Sequence, residues 1–517
     1  MGRRFQIIQC IAPLIGVAVG VTWSTDAIAQ IVSSDLTPFQ LLHPQNISMI
    51  AIAPPSDINP SLSNTALETT LTVEKIAEID AYLAAHEQTG RLSGGLMIAY
   101  GDEPTFIRNY GLANREHSVA NTPETKFRIG SITKQFTAVA ILQLQEQGLL
   151  DVQAPISDYL PDYPGGNRIT SHHLLTHTSG IPEYLDGEIF PDILEWMRLS
   201  FTLEQLIDRF KDLPLEFDPG EHFKYSNSGY VLLTQIIETI SEQSYADYMQ
   251  TNVFTPLGMI NTGYEIPKAV IPNLAQGYLF IGDDLYLQTE PIDMSLPQGA
   301  GGLYSTLQDL ARWNHWLYGT IPAAQPILSE TSIELLTTAA VQMDTPEDYP
   351  DTFYGYGLVS DSHLDRKRIH HNGGINGFRS SLMHYPEENL TISVLLNLNS
   401  QSPEPIAEGL AAILFDEPYT TPQQRKAIDL DPALYEKYVG TYQVLPELQV
   451  KLWVENNQLM SQATGQDSFV LYPSSETEFF ARIVDIVVRF KLNDDGTVAG
   501  FVLYQLEQEL FAPKLTE

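Results

Sequence analysis

Apolar positions near the start of the folded part of the chain change period twice. Residues 74–88 carry Ile76, Ile79, Ala81, Leu83 and Ala84 as an imperfect stripe at helical spacing, and Gly90 follows as a stop. Two apolar runs, 96–100 and 106–112, flank Gly101 and Asp102 and predict a pair of strands joined by a turn. The segment 135–150 then holds Phe136, Ala138, Val139, Ala140, Ile141, Leu142 and Leu144. That is apolar nearly all round, which predicts a helix buried in the middle of a domain rather than one laid on its surface.

The middle of the chain is less regular. Residues 151–162 form a proline-containing connection. In 169–180, His173 and His177 stand four apart, a spacing that invites a zinc reading. No Glu follows the first His, as a zinc-protease helix needs, and Thr and Ser surround the pair, which favours a packed, hydrogen-bonded turn. A loop over 219–230 leads into an apolar helix, 231–240. A glycine-rich turn from Gly299 precedes Ser305 and Thr306, either of which suits the N-cap of a helix with Asp309 in its first turn. His370-His371-Asn372-Gly373-Gly374 precedes a hairpin whose strands are 378–385 and 390–398, turning through Pro386 to Asn389. A short apolar helix covers 405–414.

A polar, proline-containing stretch, 420–431, marks a domain boundary. Beyond it the pattern is strands only: 440–442, 448–454, 458–463, 469–472, 486–491 and 498–504, with Asp494-Asp495-Gly496 as a hairpin turn. This predicts a separate all-β module, a small barrel or sandwich. There is no internal repeat.

Composition narrows the classes of partner. A chain of 517 residues is too long for one ordinary domain. Its net charge of −36 argues against nucleic acid or an anionic membrane as partner, since both would be repelled. Arg3 and Arg4, an apolar core from Ile7 to Val21, and Ala27-Ile28-Ala29 before Gln30 have the layout of a cleaved secretory signal over 1–29. The apolar run approaches spanning length, so an uncleaved anchor is the alternative. A protein exported this way is periplasmic or secreted, with no stable membrane insertion after cleavage. The sole cysteine, Cys10, lies inside that segment, so a mature chain would have no disulfide, thiol nucleophile or cysteine metal site. Residues 30–72, rich in Pro, Ser, Asn and Thr, read as a linker or loose extension.

The candidate chemistry starts at Gly130-Ser131-Ile132-Thr133-Lys134. Ser131 and Lys134 are three apart, one helical turn from each other on the same face. Ser131 would lie where free backbone N–H groups gather, and a Lys134 shielded from water loses its preference for the charged form. Such a lysine can accept a proton from a neighbouring hydroxyl and activate it without a histidine. Alone, a Ser N-cap followed by a first-turn Lys explains the pair as well.

Two further motifs decide between these readings. Ser131-Ile132-Thr133-Lys134, then Tyr225-Ser226-Asn227, then His371-Asn372-Gly373 occur in an order that resembles the serine β-lactamase-like family. That family groups class C β-lactamases, D-alanyl-D-alanine carboxypeptidases, D-aminopeptidases and related esterases. The flanks agree: His173-Leu174-Leu175-Thr176-His177-Thr178-Ser179-Gly180, Pro219-Gly220, and Gly301-Gly302-Leu303-Tyr304-Ser305-Thr306. The resemblance covers residues 75–415, and Tyr438-Val439-Gly440-Thr441-Tyr442 resembles the start of the lipocalin-like β-domain that often follows.

The resemblance implies an α/β (α+β) fold, an antiparallel sheet flanked by helices with a helical subdomain. The strands near 94–112 and 354–398 would join in that one sheet. The implied domains are 73–418 for the hydrolase, 419–431 for a linker and 432–517 for the β-domain. The resemblance also implies roles. Ser131 would be the nucleophile, Lys134 and Tyr225 its proton-transfer partners, and Asn227 a hydrogen-bond donor to substrate that also holds Lys134. The backbone N–H groups of Ser131 and Gly374 would form an oxyanion hole, with His371, Asn372 and Gly373 completing the substrate wall. No metal or organic cofactor is needed. The implied partner is a small-molecule or peptide substrate cleaved at an ester or amide bond through an acyl-enzyme.

This chain departs from the pattern at the third motif. His371 replaces the Lys of class C β-lactamases, and Asn372 and Gly374 stand where hydroxyls help bind a substrate carboxylate. Esterase or D-peptidase activity is therefore expected ahead of β-lactamase or carboxypeptidase activity. A reading from another class is a penicillin- or peptide-binding sensor that has lost turnover; intact Ser131, Lys134 and Tyr225 favour the enzyme.

Overall fold

The structure is a computed structural model. It describes residues 71–515 apart from 91, 102, 188, 283–284, 320–325, 344–350, 401, 423–424, 447, 467, 483, 485 and 506–507. The expected signal segment, 1–29, and nearly all of the expected linker, 30–72, lie outside the described residues. Among the described residues no helix is long and apolar enough to cross a membrane.

An eight-stranded antiparallel sheet is the centre of the larger part of the chain. Its strands are β1 (Gly94–Tyr100), β2 (Glu103–Tyr110), β3 (Val341–Gln342), β4 (Phe353–Tyr354), β5 (Val359–His363), β6 (Arg366–Ile375), β7 (Phe378–Tyr385) and β8 (Leu390–Leu396). Their order is β3-β4-β5-β6-β7-β8-β1-β2, so the two strand groups, far apart in sequence, do join: β1 pairs with β8 from Gly94↔Leu396 to Tyr100↔Leu390.

Alternation along these strands divides two hydrophobic cores. Leu96, Ile98, Ile392 and Val394 face the outer helices α1 (Val73–Gln88) and α5 (Glu404–Leu414) and pack with Ile79, Leu83, Ile406 and Leu410. Met97, Ala99 and Leu395 face the other way, toward α2 (Thr133–Glu146), α3 (Asn227–Ser241) and α4 (Leu307–Tyr318). Every residue of α2 from Thr133 to Leu144 is buried, which fits a sequence that is apolar nearly all round.

Three local differences from the sequence reading matter for the site. Helix α3 begins at Asn227, four residues before its apolar run, because its first turn is capped by tertiary contacts. The Glu183 carboxylate accepts the Asn227 N–H, and Ser228 Oγ donates to Pro182 O at 2.6 Å. His370 to Gly374 precede the hairpin, as expected, but as the end of a further strand, β6, and the turn into β7 runs through Asn376 and Gly377. The glycine-rich turn at Gly299 is a short helix, Gln298–Gly301.

The C-terminal strands form a second eight-stranded antiparallel sheet in sequential order. Two of its strands, Glu478–Phe480 and Gln508–Pro513, are absent from the hydrophobic pattern; the first is very short and the second is broken by Gln508, Glu509 and a terminal Pro. A bridge between Tyr442 and Lys514 brings the first strand beside the last, nearly closing a barrel. Its interior is filled: Tyr438 stacks on Phe490 at 3.9 Å, and Tyr442 packs on Phe501 at 4.8 Å. Eight strands leave an interior just wide enough for such side chains.

Candidate active site

The site is built where the turn before α2 meets β6. Gly130 has φ +52, and a Cβ there would lie 2.7 Å from the Gly374 nitrogen. Only glycine allows this approach. The following residue, half-buried Ser131, is thereby set beside β6 in a tight turn, Gly130–Ile132, at the entrance to α2. Strand β5 pairs with β6 only over Arg366 to His370, which leaves residues 371–375 with an open edge on that side, next to Ser131.

Lys134, the second residue of α2, is fully buried. Its Nζ donates to Ser131 Oγ at 3.2 Å, to Asn227 Oδ1 at 2.8 Å and to the Ala300 carbonyl at 2.8 Å. Three acceptors match the three N–H bonds of an ammonium, yet burial lowers the Lys134 pKa to about 7, with the Glu183 carboxylate opposing the shift. The Ala300 carbonyl reaches Lys134 because Gly299 has no side chain: a Cβ there would lie 2.5 Å from Thr234 Oγ1.

Tyr225 closes the far side. Its ring centroid lies 4.7 Å from Lys134 Nζ, and Ser131 is the polar side chain that interacts with its hydroxyl. Burial pushes the Tyr225 pKa well up, only partly offset by the Ser131 hydrogen bond, so the phenol keeps its proton through the neutral range. The two shifts move apart. Near pH 7 the group able to take the Ser131 proton is Lys134, and the group able to give one is Tyr225.

The third motif is split between the two faces of the sheet. His371 faces the site, but both its nitrogens are engaged. Nδ1 lies 2.6 Å from the Asn372 carbonyl, which can only accept, so this nitrogen carries the hydrogen. Nε2 therefore accepts from the Tyr354 hydroxyl at 3.0 Å. Burial, reinforced by Lys134, pushes the His371 pKa down to about 3, so the imidazole is neutral. The Asn372 amide donates to Glu404 on α5, on the face away from Ser131, so its side chain is not brought to the site. Gly373 lies flat against the Ile129 carbonyl, where a Cβ would come within 2.0 Å.

Several residues of the site were not singled out in the sequence as its parts. Glu183 accepts N–H bonds from Asn227 and, at 2.9 Å, from Leu185; burial raises its pKa and these bonds pull it back. Tyr354 anchors His371. His177 packs its ring on Tyr225 at 4.2 Å. The two histidines of the HLLTH stretch do not share a helix face: the helix ends at Leu175, and His177 follows in a left-handed conformation. His173 Nδ1 accepts from the Thr170 N–H and His177 Nδ1 from the Ser226 N–H, the bonded turn that the surrounding Thr and Ser suggested.

The family described as Beta-lactamase matches residues 76–415, which include every element of this site. The chain belongs to the beta-lactamase family. Residues 424–515 match a second family, described as Domain of unknown function (DUF3471). Penicillin-binding protein 4* of Bacillus subtilis (strain 168) is 30% identical over 435 residues, 80% of this chain and 93% of that protein. Among solved structures, the octameric penicillin-binding protein homologue from Pyrococcus abyssi aligns over 84% of this chain and 99% of its own, with 26% identity and a TM-score of 0.58. The D-amino acid amidase from Ochrobactrum anthropi SV3, solved with L-phenylalanine amide, aligns over 66% and 96%, with 25% identity and a TM-score of 0.55. A beta-lactamase-family chain with these relatives is of serine hydrolase type.

Proposed function

We propose that this protein is an exported serine hydrolase that cleaves an ester or amide bond through an acyl-enzyme on Ser131. The observation that carries the reading is the fully buried Lys134 amine nitrogen, 3.2 Å from Ser131 Oγ, with the Tyr225 ring 4.7 Å from that nitrogen. Neutral Lys134 takes the proton as Oγ bonds to the substrate carbonyl carbon. The N–H groups of Ser131 and Gly374 hold the carbonyl oxygen as it gains negative charge, a contribution of about 3 kcal/mol per donor. The C–N or C–O bond then breaks, and Tyr225 gives its proton to the leaving group and recovers one from Lys134. Water repeats the sequence on the acyl-enzyme, with Ser131 as the leaving group. Asn227 fixes Lys134 and presents its amide to the substrate.

The substrate favoured is an ester, or an amide of the kind that the D-amino acid amidase relative is named for, without a carboxylate beside the scissile bond. Neutral, doubly engaged His371 supplies no cation for such a carboxylate. Export rests on the signal-like residues 1–29, and the domain boundaries 73–418 and 432–517 rest on the composition of the stretch between them.

A fluorophosphonate probe tests the nucleophile. Intact-mass measurement should show one adduct on the wild-type protein and none on Ser131→Ala. Equal labelling of both removes Ser131 as the nucleophile.

A further inference from the structure

His177 holds an unusual set of contacts for a residue with no assigned part in the chemistry. It is fully buried, and its backbone sits at φ +58, a left-handed conformation unfavourable for a residue with a side chain. That conformation aims two acceptors at one target. The His177 carbonyl accepts the Lys224 N–H at 2.9 Å, and His177 Nδ1 accepts the Ser226 N–H at 3.1 Å. These are the N–H groups of the residues on either side of Tyr225. The imidazole also lies against the Tyr225 ring, 4.2 Å between centroids and tilted by 35°. Tyr230 at 5.2 Å and Tyr354 at 4.6 Å enclose its remaining sides. Since Nδ1 accepts, the ring hydrogen is on Nε2, which is buried without a hydrogen-bond partner. A buried, unpaired N–H is unfavourable by about 1–3 kcal/mol. Strain and an unpaired donor at one residue fit a position kept for what it holds rather than for its own stability.

We infer that His177 is a positioning residue that clips Tyr225 from both flanks and sets its hydroxyl on Ser131. This rests on the reading of Tyr225 as the acid for the leaving group. Tyr225 comes from the irregular approach to α3, and no strand or helix backbone fixes it. The clip replaces such an element with two hydrogen bonds and one ring face. Because the proton is delivered only as the leaving group departs, the clip acts on the rate of bond breaking and scarcely on substrate binding.

The test is a double-mutant cycle on the full-length protein, read with a nitrophenyl ester and the matching anilide. Nitrophenolate leaves without a proton; the anilide nitrogen needs one. His177→Phe keeps a ring and removes the Nδ1 acceptor. It should lower kcat on the anilide by about ten- to a hundredfold, with KM and the ester rate changed less than threefold. His177→Asn offers Oδ1 where Nδ1 was and tolerates the left-handed conformation, so it should recover most of the loss and keeps the test open if the Phe variant does not fold. In a Tyr225→Phe background, His177→Phe should change the anilide rate less than twofold. The same loss in both backgrounds, or equal losses on ester and anilide, overturns the inference and leaves His177 as packing. An Asn variant as slow as the Phe variant overturns the hydrogen-bonded clip. A Tyr225→Phe enzyme of near-normal anilide rate instead removes the underlying reading of Tyr225.

Discussion

If Lys134 takes the Ser131 proton, activity must follow the neutral fraction of one buried amine. The perturbation is pH, and the structure sets the expected curve. Burial places the Lys134 pKa at about 7. A group at that value is about 1% neutral at pH 5, about 50% at pH 7 and about 90% at pH 8. The kcat/KM for a neutral ester should therefore rise about ninetyfold from pH 5 to pH 8, tenfold per unit at the acid end, and level off above pH 8. Neither His371 nor Tyr225 contributes to this limb. His371, held down to about 3, is neutral throughout. Tyr225, pushed up by burial, keeps its proton throughout this range. The assay is initial-rate hydrolysis in buffers of constant ionic strength, with Ser131→Ala subtracted for background. Lys134→Ala should be slow and flat over the same range. A wild-type profile flat from pH 5 to pH 8, or one whose inflection lies near 10, would refute the reasoning: in the first case the limb does not belong to Lys134, in the second its three acceptors keep it charged.

Two other outcomes are expected. The wild-type enzyme should prefer a neutral ester to a cephalosporin, and His371→Lys should lower KM for anionic substrates while hardly changing neutral ones; a tenfold wild-type preference for the cephalosporin (~1.4 kcal/mol) contradicts this. Gly130→Ala should lower thermal stability by at least about 1 kcal/mol and kcat/KM by about a hundredfold, since its Cβ meets Gly374 and shifts Ser131; an unchanged melting temperature and rate would show that the turn yields freely.

Much of the site was legible because it is local. Ser131 and Lys134 are one turn apart on a helix whose burial is written in its apolar residues, and that burial is what moves Lys134. Tyr225 and Asn227 were singled out by the resemblance of one short motif, Tyr225-Ser226-Asn227, to that of the family. The start of α3 was not, because its first turn is capped by Glu183, more than forty positions earlier in the chain. No periodicity reports a cap supplied by another segment. The split of the third motif was also hidden. Consecutive strand residues face opposite ways, so His371 and Asn372 cannot both line the site, but which one does depends on which sheet face α2 covers.

Most of the elements, the buried central helix and the all-β C-terminal segment were thus legible in the chain, since each depends on neighbours within a few positions, and the resemblance of three short motifs singled out the candidate site residues. Packing added the register of β1 against β8, within the one sheet that the resemblance implied, the neutral His371 with both nitrogens engaged, and the place of His177 and Glu183 in the site. Those outcomes depend on desolvation and on hydrogen bonds between segments distant in the chain, and neither exists until the segments have packed.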